Sequence, residues 1–232
     1  MTGIQLPRSL RPASLPGRLL DLAFPATCAG CGREGTPICE TCGRALAARA
    51  GEPAGVPLGM PSDVPLPLVQ LEWCAPYGGV VRSALHALKY AGEQRLARPL
   101  GTAAAARWRE AGIGGDLLVH VPVHAARRAA RGYDQAELLA RAAAGALGLP
   151  AAPALRRERA TVPQFELGRD RRAANVAAAF AVDPAWAPAT RGRWVVLVDD
   201  VVTTGATLVA CAEALLDAGA AAVSALTVAR EA

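Results

Sequence analysis

Residues 195–208 read VVLVDDVVTTGATL and gather two adjacent carboxylates, three threonines and a glycine into one short stretch. The apolar run Val195, Val196, Leu197, Val198 suits a strand covered on both faces of a parallel sheet. Asp199 and Asp200 are then expected at its carboxyl end, where open α/β sheets bind ligands. Thr203, Thr204 and Thr207 offer hydroxyls, and Gly205 and Ala206 let backbone N–H groups close on an anion at the start of a helix expected over 207–218. Two carboxylates would repel the phosphate but suit the vicinal hydroxyls of a ribose one sugar-length away. The chemistry is that of a ribose 5-phosphate site. An ordinary strand, turn and helix with a polar loop is the alternative, and the ordered coincidence of acids, threonines and glycine weighs against it. A Walker A loop is excluded, because no Gly-Lys-Ser/Thr is present.

The stretch resembles the phosphoribosyl pyrophosphate (PRPP) motif of type I phosphoribosyltransferases. That resemblance implies a parallel sheet flanked by helices, and it implies Mg²⁺ arriving with PRPP.

A second constellation lies near the N-terminus. Cys28, Cys31, Cys39 and Cys42 form C-x2-C-x7-C-x2-C among Gly30, Gly32, Gly35, Pro37 and Gly43. Two tight C-x2-C knuckles supply the four soft thiolates that a structural, closed Zn²⁺ site requires, in a small zinc ribbon. Two disulfides or a redox pair are the other readings of four cysteines. So short a module buries too little apolar surface to fold without its metal. Cys74 and Cys211 read as core residues.

The elements that must position these groups fit a chain of 232 residues, 52% hydrophobic and 19% charged: one sizeable core plus an appendage. No apolar run approaches the roughly 20 residues of a membrane span. The segment 19–24 is interrupted by Asp21 and too short for a signal-peptide core, so a cytoplasmic location is expected. The divisions read as an N-terminal arm over 1–24, the cysteine module over 25–45, a Pro/Gly/Ala-rich linker over 46–71 and the main domain over 72–232. Within the last, helices are expected over 80–90, 95–111 and 135–147 and strands over 117–121, 195–198 and 221–228. This alternation implies a parallel sheet with crossover helices.

The net charge of +5 is modest, but residues 120–175 hold ten arginines against five acids. Lys89 is the sole lysine, which suggests that a compact point charge is wanted there.

Further motifs narrow the family. Tyr77-Gly-Gly-Val-Val-Arg82, His86-Ala-Leu-Lys89-Tyr90, Val121-Pro-Val-His124, Arg128-Ala-Ala-Arg131-Gly-Tyr-Asp-Gln135, Gln164 and Arg172-Ala-Ala-Asn175 occur in an order that resembles the ComF family. The four-cysteine module before them fits too, so the resemblance runs from about residue 19 onward. It implies an association with DNA uptake and, by name, gluconate utilisation.

By analogy with type I enzymes, residues 122–131 would form the pyrophosphate loop, with Arg131 favoured over Arg127 and Arg128. Residues 164–175 would form a closing loop whose cations, Arg159, Arg169 and Arg172, stabilise departing pyrophosphate. Asp199, Asp200 and Arg172 are thus the expected catalytic residues. Asp199, Asp200, Thr203, Thr204, Gly205, Ala206, Thr207, Lys89 and Arg131 are the expected PRPP ligands. Asn175 reads equally as a helix cap. His86 and His120 read as structural, and His124 as a phosphate contact.

Two functions follow. One is a Mg²⁺-dependent phosphoribosyltransferase. The other is a non-catalytic protein that engages single-stranded DNA, alongside the DNA-uptake machinery, through the basic segment and its interleaved aromatics.

Overall fold

The computed structural model describes residues 25–54, 64–158 and 179–231. The cysteine module ends in α1 (Glu40–Gly43) and a 3-10 turn, Arg44–Ala47. After it come β1 (Leu71–Pro76), α2 (Gly79–Tyr90), α3 (Ala97–Ala111), β2 (Leu117–His120), α4 (Ala125–Arg131), α5 (Gln135–Leu147), β3 (Ala151–Ala152), β4 (Leu155–Arg157), β5 (Phe180–Val182), α6 (Ala187–Thr190), β6 (Trp194–Val202), α7 (Ala206–Asp217) and β7 (Ala222–Arg230).

Five strands form one parallel sheet in the order β1-β7-β6-β2-β3, and β4 and β5 form a separate antiparallel pair. The sheet is buried on both faces, as the apolar run in β6 requires. Val196 and Val198 pack with α2, α3 and α5, whereas Val195 and Leu197 pack with Leu208, Cys211 and Leu215 of α7. The period-2 alternation of a strand thus divides one apolar run between two cores.

Local chemistry sets the helix boundaries. α5 starts after Asp134, whose carboxylate accepts the N–H groups of Ala136 and Glu137 at 2.9 and 3.3 Å, and it stops before Gly148. α2 lays Val81, Ala84, Leu85 and Leu88 on the core and leaves Arg82, His86 and Tyr90 exposed.

Three sequence expectations change. β6 runs to Val202, so Asp199 and Asp200 lie within the strand and not beyond it. They clear the shorter β2, which ends at His120 opposite Val198, but stay paired on the β7 side. Residues 125–131, expected as loop, are helical, in keeping with the high helix propensity of their alanines and arginines. β1 occupies 71–76, where no strand is expected from the sequence; a strand buried on both faces does not show the alternation that marks a half-buried one.

Candidate functional site

Because successive strand residues point to opposite faces, the two acids separate. Asp200 follows Val196 and Val198 toward α2, where its Oδ2 pairs with Nζ of Lys89 and its Oδ1 accepts the N–H of Val201 at 2.8 Å. Asp199 follows Val195 and Leu197 toward α7, and its Oδ1 accepts the N–H of Asp200 at 2.8 Å. Desolvation, and then the neighbouring Asp200 carboxylate, hold the Asp199 carboxyl well above the usual range. The pair therefore differs in environment: one acid is ion-paired, the other retains its proton more readily.

Asp200, Lys89 and Thr203 line a polar cavity of about 550 Å³ together with Tyr77, Arg82, Val201 and Glu231. Arg82 and Glu231 were not among the expected site residues. Arg82 had a sequence signal, because it stands two helical turns before Lys89 and so shares its face.

Beside the cavity, Gly205 caps α7 with a φ of 79°, a left-handed conformation that glycine adopts without strain. Thr203, Thr204, Ala206 and Thr207 are exposed around this helix start, and Thr204 Oγ1 accepts the N–H of Ala206 at 3.4 Å. The Pro65 ring lies over Gly205: a Cβ there would stand 3.0 Å from Pro65 Cγ.

Arg131 lies outside the cavity lining. Its guanidinium sits 5.1 Å from the Tyr90 ring centroid and donates to Gln135 Oε1 at 2.9 Å. Arg128 pairs with Glu137 at 3.2 Å. The N–H of Val123, in the bend before α4, is already taken by Asp134 Oδ2 at 2.9 Å. His124 caps α4, its Nδ1 accepting the N–H of Ala126 at 3.2 Å. His86 stacks obliquely on Tyr90, centroids 4.7 Å apart. Burial, opposed by Asp134, pushes the His120 imidazole pKa down. Arg159, Gln164, Arg169, Arg172 and Asn175 lie outside the described residues.

The four cysteine Sγ atoms lie within 4.8 Å of one another, and Cys31 and Cys39 are 3.7 Å apart. A ZnS₄ tetrahedron with bonds of about 2.3 Å has edges of about 3.8 Å, so the set fits zinc. The first pair sits on a hairpin closed by the Thr27–Glu34 bridge, and Gly32 makes its turn at a φ of 74°. The second pair stands on α1, with Cys39 at its N-cap, so only the first half of the module is ribbon. The N–H of Cys39 donates to Cys28 Sγ at 3.3 Å and is the main cause that brings this thiol down to about 6. The module rests on the main domain: a Cβ at Gly30 would meet the Val80 side chain of α2 at 2.9 Å.

A parallel sheet whose central strand carries adjacent acids and leads into a glycine-capped helix start, preceded by a four-cysteine module, defines a type I phosphoribosyltransferase-like protein. The family model described as phosphoribosyl transferase domain matches residues 146–232, which hold β6, its loop and α7. The DNA utilization protein YhgH of Salmonella typhi is 33% identical over 201 residues, covering 80% of this chain and 87% of that protein. The protein of the same name from Escherichia coli (strain K12) is 33% identical over 202 residues with the same coverage. The chain belongs to the ComF family. Among solved structures, the glutamine PRPP amidotransferase from B. subtilis, complexed with ADP and GMP, aligns over 56% of this chain at 24% identity with a TM-score of 0.39; the chain spans 25% of its length. Among the described residues, no helix is long and apolar enough to cross a membrane.

Proposed function

We propose that this ComF protein binds PRPP, or a related ribose phosphate, at the carboxyl edge of β6 and transfers its phosphoribosyl group with release of pyrophosphate. The observation that carries the reading is the cavity that joins Asp200, Lys89 and Thr203 beside the exposed N-terminus of α7. Thr203, Thr204, Ala206 and Thr207 hold the 5-phosphate through hydroxyl and amide donors around Gly205. Asp199 and Asp200 take the ribose hydroxyls. Lys89 takes the pyrophosphate, and Arg131 and Arg172 add charge to it. Mg²⁺ is held mostly by the ligand's own phosphates and water. The C1–oxygen bond breaks with its electron pair leaving on pyrophosphate, and an acceptor nucleophile bonds to C1 and gives up its proton. The protein contributes positioning and charge stabilisation. Zn²⁺ on Cys28, Cys31, Cys39 and Cys42 has a structural role.

Calorimetric titration with PRPP and Mg²⁺ tests this reading. Wild type should bind, and an Asp199→Ala/Asp200→Ala double variant should lose at least about tenfold in affinity, the scale of removing hydrogen bonds to charged groups. A folded wild type that binds no PRPP would sink it.

A second reading, single-stranded DNA binding in support of DNA uptake, is favoured by the exposed face of α2. Arg82, His86 and Tyr90 line up along it, and the Arg131 guanidinium covers the Tyr90 ring. Cations interleaved with aromatic faces suit a strand-tracking surface. Affinity for oligodeoxythymidine that falls steeply with salt, and falls further in an Arg131→Ala/Tyr90→Ala variant, is the result expected of it; salt-insensitive or absent binding would remove it.

A further inference from the structure

In the polar cavity an acid and an ammonium hold each other, and each is needed elsewhere. Both oxygens of Asp200 are engaged, Oδ1 by the Val201 N–H at 2.8 Å and Oδ2 by Lys89. The Lys89 side chain is 21% exposed and the Asp200 carboxylate 7%, so the ammonium is the partner with room to move. Oδ2 is buried against Lys89, so a ribose hydroxyl reaches it only if the ammonium moves aside, and an ammonium held by a carboxylate draws a second anion less strongly than a free one. While the pair is closed, neither half of a ribose phosphate ligand is fully served.

We propose that the Lys89–Asp200 pair is a latch that couples the anion-binding and diol-binding halves of the site. A pyrophosphate-type anion beside Tyr77 and Arg82 draws Lys89 off Asp200 Oδ2, and the freed oxygen accepts from the ribose hydroxyl. A diol that claims Oδ2 in turn releases Lys89 to the anion. By thermodynamic linkage each ligand then raises the affinity of the other by the same factor. The residue type fits the task. A point charge on a flexible four-carbon stem swings between two oxygen partners, whereas a guanidinium would grip the carboxylate through a planar fork. Lys89 is the sole lysine in a chain that otherwise writes its cations as arginine. The latch rests on the ribose phosphate reading above.

The test is calorimetric titration of the full-length protein with inorganic pyrophosphate and with ribose 5-phosphate, each alone and in the presence of the other. In wild type, each probe should tighten the other about fivefold or more, the usual scale of site-to-site coupling. Asp200→Asn, which frees Lys89, should bind pyrophosphate more tightly than wild type by a similar factor, bind ribose 5-phosphate more weakly and show no coupling. Lys89→Met should bind ribose 5-phosphate at least as well as wild type, again without coupling. Pyrophosphate affinity that is unchanged or weaker in Asp200→Asn, with wild type binding both probes, overturns the latch alone. So does a wild type that binds one probe and ignores the other. A wild type that binds neither overturns the ribose phosphate reading and the latch with it. If thermal melting shows Asp200→Asn to be unfolded, Lys89→Met decides: weaker ribose 5-phosphate binding than wild type overturns the latch.

Discussion

Glu72 and Asp200 project from the same face of the sheet with β7 between their strands, and basic side chains meet both. Glu72 is fully buried. Its Oε2 takes Arg49 at 3.2 Å and Arg107 at 2.8 Å, and its Oε1 takes Gln70 at 3.0 Å. Arg107 goes on to the carbonyls of Arg49 and Glu52, both at 2.9 Å, and of Pro53 at 3.2 Å, while Arg49 stacks 3.8 Å over the Trp73 ring. The Arg49 and Arg107 contacts together tie the chain just after the cysteine module to β1 and α3. Among the described residues Asp200, by contrast, has one side-chain partner, and it faces a cavity. An acid with all its oxygens committed inside a closed network can only hold the fold together. An acid held by one partly exposed lysine beside open space can exchange that partner for a ligand.

The largest effect that would sharpen this contrast comes from metal removal. A structural zinc site supplies the folding energy of so small a module, on the order of 10 kcal/mol. Chelation should therefore expose Cys28, Cys31, Cys39 and Cys42 to a thiol reagent while Cys74 and Cys211, at 1% and 0% exposure, stay protected. Four reactive thiols after chelation and none before is the expected count. Six would mean that the sheet's cores open with the module, and four before chelation would mean that no metal is held.

Next in size is the loss of the buried acid. Glu72→Gln leaves two buried guanidiniums facing each other without their carboxylate and should cost about 3–5 kcal/mol of stability. Asp200→Asn removes an acid whose cation can turn to solvent and should cost no more than about 1 kcal/mol. Urea denaturation of the two variants compares them directly. Equal losses would erase the distinction between network and latch.

The two regions also differ in how far the sequence discloses them. Asp199, Asp200 and the loop through Thr207 are legible because the motif is local: strand, turn and helix start within one short run. The four cysteines are legible for the same reason. The Glu72 network is not, because Arg49, Glu72 and Arg107 come from separate elements and meet only when β1 and α3 pack. A lone glutamate in a short apolar run carries no mark of the two cations that will cover it. The division of Asp199 from Asp200 lies between these cases. Strand alternation predicts that neighbouring acids point to opposite faces, but only the length of β6, to Val202, makes that rule apply to them.

That division yields the smallest effect and the finest test. Burial and the Asp200 charge raise the Asp199 pKa in the folded protein, so above about pH 3.9, where an unfolded aspartate ionises, the folded chain keeps a proton that the unfolded chain has released. Stability then falls as pH rises through this window, by at most about 1.4 kcal/mol per pH unit, and levels off above the folded pKa. Asp199→Asn keeps an oxygen for the Asp200 N–H and cannot ionise. It should be more stable than wild type at neutral pH by about 1 kcal/mol, since partial exposure of the site softens the penalty, and the gap should close as pH falls toward 4. Denaturation curves at several pH values measure that gap. A gap that stays constant, or widens in acid, would show that Asp199 ionises as freely as a surface acid, and the contrast between the two faces of β6 would then rest on Asp200 alone.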